Sequence, residues 1–221
     1  MASKALKSKN KLSKPKREPL SRERIELTAL ALIERDGLAQ FSQRSLAREL
    51  QVEAMSLYHW HSSRLALLNA LLDRIFSDNE LYAGDDPIAE LRHLAWTFRA
   101  VGLRYPKFFG HFVLQHRFNT ETTLTLLERM TSACLRIARD EHDMALLFRT
   151  FVHFLMGALL DETSGYAVGP GAENPPDAQA MRDRFPHVLL LAPHNEASHH
   201  EENFRFGLEL VLKSLEQHCG K

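Results

Sequence analysis

Beyond Leu20, apolar residues recur at intervals of three and four along almost the whole chain, and no stretch sustains the alternate-residue pattern of a strand. That spacing restricts the fold to helices. Local stop and start signals then divide it. Ser21 precedes a run with Ile25, Ala29, Leu32 and Ile33, which Gly37 ends after Asp36. Ser42 opens a short helix carrying Leu46, Ala47 and Leu50. After a break at Gln51-Val52-Glu53, another short helix carries Met55, Leu57, Tyr58 and Trp60. Ser63 caps a fourth, striped by Leu65, Leu68, Leu71, Leu72 and Ile75. Ile25, Leu32, Leu46, Leu50, Val52 and Leu57 are the expected centre of a small core. Two short helices joined by a tight turn and braced by a third make a helix-turn-helix, whose second member enters a major groove.

The rest reads as a larger helical unit. A loop at Gly84-Asp85-Asp86-Pro87 restarts a helix at Ile88, and Pro106 ends it. Further helices are predicted over 121–139, 143–163, 181–191 and 201–217, with a Gly- and Pro-containing loop at 165–176. The expected fold class is all-α: a disordered basic tail at 1–20, a helix-turn-helix DNA-binding domain at 21–67, and a larger helical domain at 68–221, which the family resemblance given below implies to be the ligand-binding and dimerisation domain.

Composition enters as a test of function. The formal net charge is zero, which alone argues against nucleic acid, but Lys4, Lys7, Lys9, Lys11, Lys14, Lys16 and Arg17 crowd the tail against Glu18. Such a tail either solubilises the protein or adds sequence-independent phosphate contacts. No apolar run approaches the ~20 residues of a membrane span. The first twenty residues lack a secretory apolar segment, and Cys134 and Cys219 are the only cysteines, so a reducing cytoplasm is expected. No cofactor or metal is expected, and His194, His199 and His200 read as a solvated loop cluster. A remote alternative is a metal-dependent all-α hydrolase built on His142-Asp143, His111 or His116, and Asp161. That reading leaves the helix-turn-helix without a purpose.

From Phe41-Ser-Gln-Arg-Ser-Leu-Ala-Arg-Glu-Leu50 through Gln51-Val-Glu-Ala-Met-Ser-Leu-Tyr-His-Trp60, and on to Ser63-Arg64, the chain resembles the TetR family of bacterial regulators. The run from Phe204 to Glu216 resembles, more weakly, the last helix of its tetracycline-repressor branch. Three positions depart from the family pattern: Gln51 stands where Gly is usual, Glu53 where a Ser cap is typical, and Met55 where Pro is frequent.

The resemblance implies a homodimeric, palindrome-binding repressor released by a small effector. An activator or a ligand-independent regulator is the alternative. Gln43, Arg44, Glu53, Ala54, Ser56, Tyr58, His59 and Arg64 are its candidate DNA contacts, with Arg44 able to grip a guanine edge through its planar fork. Candidate effector contacts are Trp96, Phe109, Phe112, His116, Phe148 and Phe151, which imply a largely apolar effector. Candidate dimer contacts are Phe151, Leu155, Gly157, Ala158, Phe204, Leu208, Val211, Leu212 and Leu215. Glu80 and Phe112 stand where the tetracycline branch places histidines, so a tetracycline–magnesium site is not expected.

Overall fold

A computed structural model of the chain describes residues 19–110, 119–164, 173–194 and 199–219. Among the described residues every regular element is helical. The basic tail to residue 18, and with it the expectation of disorder there, lies outside them.

The N-terminal head is built from α1 (Arg22–Asp36), α2 (Gln43–Leu50), α3 (Ala54–Tyr58) and the start of α4 (Arg64–Ser77). Its boundaries follow from local capping chemistry. The Ser21 hydroxyl accepts the Arg24 N–H, Ser63 accepts the Ala66 N–H, and Gly37 ends α1 at φ +87°. At the start of α2, Ser42 and Ser45 cap each other: each hydroxyl accepts the other's N–H, at 3.1 and 3.0 Å. Ile25, Leu32, Leu46, Leu50 and Leu57 are buried as expected, with Val52 half-buried against them.

The α2–α3 turn is where the departure at Gln51 matters. Gln51 adopts φ 56° and ψ 43°, and its N–H and that of Val52 donate to the Arg48 and Ala47 carbonyls. Among the described residues it is the only non-glycine with positive φ. A left-handed backbone costs a residue with a Cβ roughly 1 kcal/mol that glycine avoids. Gln51→Gly is therefore expected to raise the melting temperature by about 2–4 °C, read by calorimetry. A lower value would mean that the glutamine side chain contributes more than its backbone costs.

The body comprises α5 (Pro87–Arg104), α6 (Pro106–Phe108), α7 (Glu121–Ile137), α8 (Glu141–Ser164), α9 (Ala178–Arg184), α10 (Pro186–Leu191) and α11 (His200–Cys219). Helix α5 packs on α7, α8 and α11, α7 packs on α8, and α8 on α11, while α4 runs from the head onto α7. Phe98 of α5 meets Phe76 of α4 with ring centroids 4.8 Å apart, joining the two units in one core. Glu90 of α5 is clamped by Arg129 and Arg136 of α7. The helix expected over 181–191 is broken in two, because Pro186 supplies no N–H to continue α9 and instead starts α10.

One expectation needs correction. Over Glu141–Thr163, α8 is long and apolar enough to cross a bilayer by length and composition, with a mean hydropathy of 1.5. Its apolarity has two sources. Leu147, Phe151, Leu155 and Leu159 fill the body core, while Leu146 and Leu160 lie on a separate, exposed face.

Candidate nucleic-acid interface and effector domain

Helix α3 is anchored by the buried Leu57, with Ala54 packed partly against the same core, and turns its other side outward. Glu53, Tyr58 and His59 are exposed, Ala54 and Ser56 half-buried, and Met55 is the most open at 70%. Met55 is not among the expected DNA contacts, but its spacing turns it outward, since it sits two residues before the buried Leu57, on the opposite side of a helix. Trp60 is also partly exposed, and its carbonyl accepts from Arg22 at 3.4 Å.

On α2, Arg44 is exposed, while Gln43, the other expected DNA contact there, is only 9% exposed. The reason is periodicity: residues 43, 46, 47 and 50 share one helix face, and Leu46, Ala47 and Leu50 are the head's core. Arg64 is exposed at the start of α4, yet it already works within the protein. Its Nη2 donates to the Leu38 carbonyl at 3.1 Å and its guanidinium lies over the Phe41 ring.

A buried polar cluster stands behind this surface. Arg74 Nε donates to Glu26 at 2.6 Å, tying α4 to α1, and His61 lies 3.5 Å from the other Glu26 oxygen without hydrogen-bond geometry. Burial lowers the His61 pKa, outweighing the opposite pull of Glu26.

The described members of the expected effector set differ in burial. Phe109 and Phe151 are fully buried in the body core, and Phe148 is half-buried. Trp96 packs outward onto α11, edge-on to Phe204 at 5.1 Å and beside Arg205. Phe112, His116 and His111 lie outside the described residues. A cleft of about 320 Å³ lies elsewhere, between the end of α4 and the start of α7, lined by Phe76, Asn79, Leu81, Thr122, Thr125 and Leu126. Asn79 is fixed there by donating to the Ile75 and Phe76 carbonyls.

The dimer candidates divide. Phe151, Leu155, Phe204, Leu208, Leu212 and Leu215 are buried within the single chain and pack in its own core. Ala158 and Val211 are half-buried and Gly157 is open, with nothing within 4 Å of a Cβ built on it. The outward faces are one step round each helix. On α8 they carry Leu146, Thr150, His153, Gly157 and Leu160, and on α11 Phe206, Leu210 and Lys213. Gly207 lets Phe154 lie against the α11 backbone, since a Cβ there would come within 2.5 Å of the ring.

The hydrolase alternative fails on geometry. Asp143 and Asp161 sit eighteen residues apart on one helix, about 27 Å along its axis at ~1.5 Å per residue. Asp143 is instead engaged by Arg139 and by His218 at 2.7 Å, which together hold its carboxyl well below the usual carboxylate range. Burial pushes the Cys134 thiol up to about 12, which keeps it protonated and inert. Among the described residues no group of His, Cys, Asp and Glu is arranged to hold a metal ion.

Comparison with known proteins agrees with this architecture. Residues 83–219 match the family described as tetracyclin repressor-like, C-terminal domain. The chain is 27% identical over 216 residues to the tetracycline repressor protein class D of Escherichia coli, covering 89% of each. Among solved structures, a Streptomyces coelicolor protein described as a possible TetR family transcriptional regulator is 25% identical. It superposes with a TM-score of 0.70 over 89% of this chain and 99% of its own. ActR of the same organism, solved in complex with actinorhodin, shares the fold at 20% identity and a TM-score of 0.69, over 92% of this chain and 100% of its own. With the family matched over most of its length, the chain belongs to the TetR family of transcriptional regulators.

Proposed function

We propose that the protein is a homodimeric repressor that binds a palindromic operator and is released by a small effector. The observation that carries this reading is the outward face of the head: Met55, Tyr58 and His59 stand exposed on a buried Leu46–Leu50–Leu57 support, with Arg44 beside them on α2. A thioether suits the thymine methyl in the major groove, an arginine fork suits guanine, and a tyrosine hydroxyl suits a phosphate. Repression is supported by the 27% identity to a tetracycline repressor.

The exposed faces of α8 and α11 support the dimer. Leu146, Thr150, His153, Gly157 and Leu160 follow steps of four and three, as do Phe206, Leu210 and Lys213. Such steps keep one seam facing a partner helix. Val188, Leu190 and Leu191 of α10 are a further set of exposed apolar side chains. The effector is a small, largely apolar molecule with a few hydrogen-bonding groups, received at the α4–α7 cleft, where it bears directly on the helix that carries the head. It releases DNA only if it binds the DNA-free arrangement more tightly.

Selection of duplexes from a random pool tests this. The expected result is a two-fold symmetric site. Arg44→Ala is expected to weaken that site by about 1–3 kcal/mol while relaxing preference at one position in each half, and Met55→Ala by less. Failure to enrich any duplex at low salt would refute the reading, and equal losses on specific and random DNA would reduce Arg44 to a phosphate contact.

A further inference from the structure

We infer that Glu34 couples the DNA-reading head to the body through a contact that bypasses α4. Glu34 lies in the last turn of α1. Its two carboxylate oxygens accept the backbone N–H groups of Lys107 at 3.1 Å and Phe108 at 2.8 Å. Lys107 adds a second tie, its Nζ donating to the Arg35 carbonyl at 2.8 Å. A carboxylate that uses both oxygens on adjacent main-chain donors fixes orientation as well as distance, and the charge strengthens each bond.

Both ends of this contact are anchored. Ile33, next to Glu34, is fully buried in the head, and the Phe108 side chain is fully buried in the body. The connection therefore joins two packed units, and displacement of one backbone must be followed by the other or break the bonds. It also continues into the head. Arg35 donates to Glu49 in the last turn of α2, at 3.3 and 3.4 Å, so the residues that hold α6 also hold the helix that braces α3. The separate α4 route enters the head through Arg74 and Glu26. The coupling itself stands on these contacts. Its consequence, that movement of α6 alters DNA affinity, rests on the function proposed above.

Amide hydrogen exchange on the full chain reads the coupling from both sides. Glu34→Gln keeps the shape of the side chain but removes its charge, and is expected to speed exchange at Lys107 and Phe108 about tenfold. Leu46→Ala weakens the head from within α2, where Leu46 is fully buried. It is expected to speed the same two amides in the Glu34 protein and to add nothing in the E34Q background. If Leu46→Ala unfolds the head outright, Ser42→Ala removes only the α2 cap and gives the same cycle at smaller amplitude. Equal acceleration in both backgrounds, or none in either, would overturn the inference. A duplex enriched by the protein from a random pool supplies the reciprocal reading. Its binding is expected to slow exchange at Lys107 and Phe108 in the Glu34 protein and not in E34Q; unchanged exchange on a bound duplex would count against the coupling. If no duplex is retained, it is the DNA-binding function that fails, and the cycle with Leu46→Ala still decides the coupling.

Discussion

Phe206→Glu combined with Leu210→Glu is expected to split the protein into monomers and to reduce its affinity for a palindromic duplex about a thousandfold or more. Both side chains are exposed in the isolated chain, at 68% and 56%, so replacing them removes little from its own core. In the proposed dimer two-fold symmetry doubles the effect, because each substitution places a carboxylate on both sides of one seam. Carboxylates facing one another there lose hydration on burial, which costs far more than the lost apolar contact. A monomer keeps one recognition helix and loses the second half-site, leaving an interaction dominated by phosphate contacts. Analytical ultracentrifugation should show the mass falling from twice the 25.3 kDa chain to the chain alone, with helical circular dichroism retained. A variant that remained dimeric would move the interface off α8 and α11.

How much of this was legible beforehand depended on whether one face of each helix was apolar or two. The head was readable because its helices are short and its caps explicit: Ser21, Ser42 and Ser63 each cap the helix they were expected to start. Even there, Gln43 is buried where its type suggests exposure. A polar residue at a helix start looks outward by type, and only its spacing to Leu46, Ala47 and Leu50 turns it inward. In α8 and α11 apolar residues lie on more than one face, so periodicity does not say which of them the chain uses for itself. The chain's own core took Phe151, Leu155, Leu208 and Leu212, and left Leu146, Leu160, Phe206 and Leu210 outside. The effector residues were illegible for a different reason. An aromatic residue that fills a core and one that lines a cavity have the same sequence pattern, and Phe109 and Phe151 fill the core. Contacts between distant polar groups, such as Glu34 with Lys107 and Phe108, leave no periodic trace at all.

Arg99→Met is expected to destabilise the body by about 3–5 kcal/mol, because it strands a buried carboxylate. Arg99 of α5 donates through Nε to both oxygens of Glu162 on α8 at 3.0 Å, and its Nη2 lies 2.9 Å from Glu162 Oε2. The side chains are only 11% and 4% exposed, so water cannot replace the lost partner. The guanidinium also lies over the Trp96 ring at 5.5 Å and the Phe204 ring at 5.4 Å, and thereby locks α11 onto α5. Met fills some of that volume but carries neither charge nor planar donors. For a chain of this length the loss corresponds to a fall in melting temperature on the order of 10 °C. The pair itself is a different matter. Bringing both ions out of water offsets much of their attraction, so Arg99→Met together with Glu162→Leu is expected to recover most of the stability. Scanning calorimetry on the two variants separates the cases. A double variant as unstable as the single one would show that the packing of Arg99 over Trp96 and Phe204, and not the stranded charge, holds this junction together.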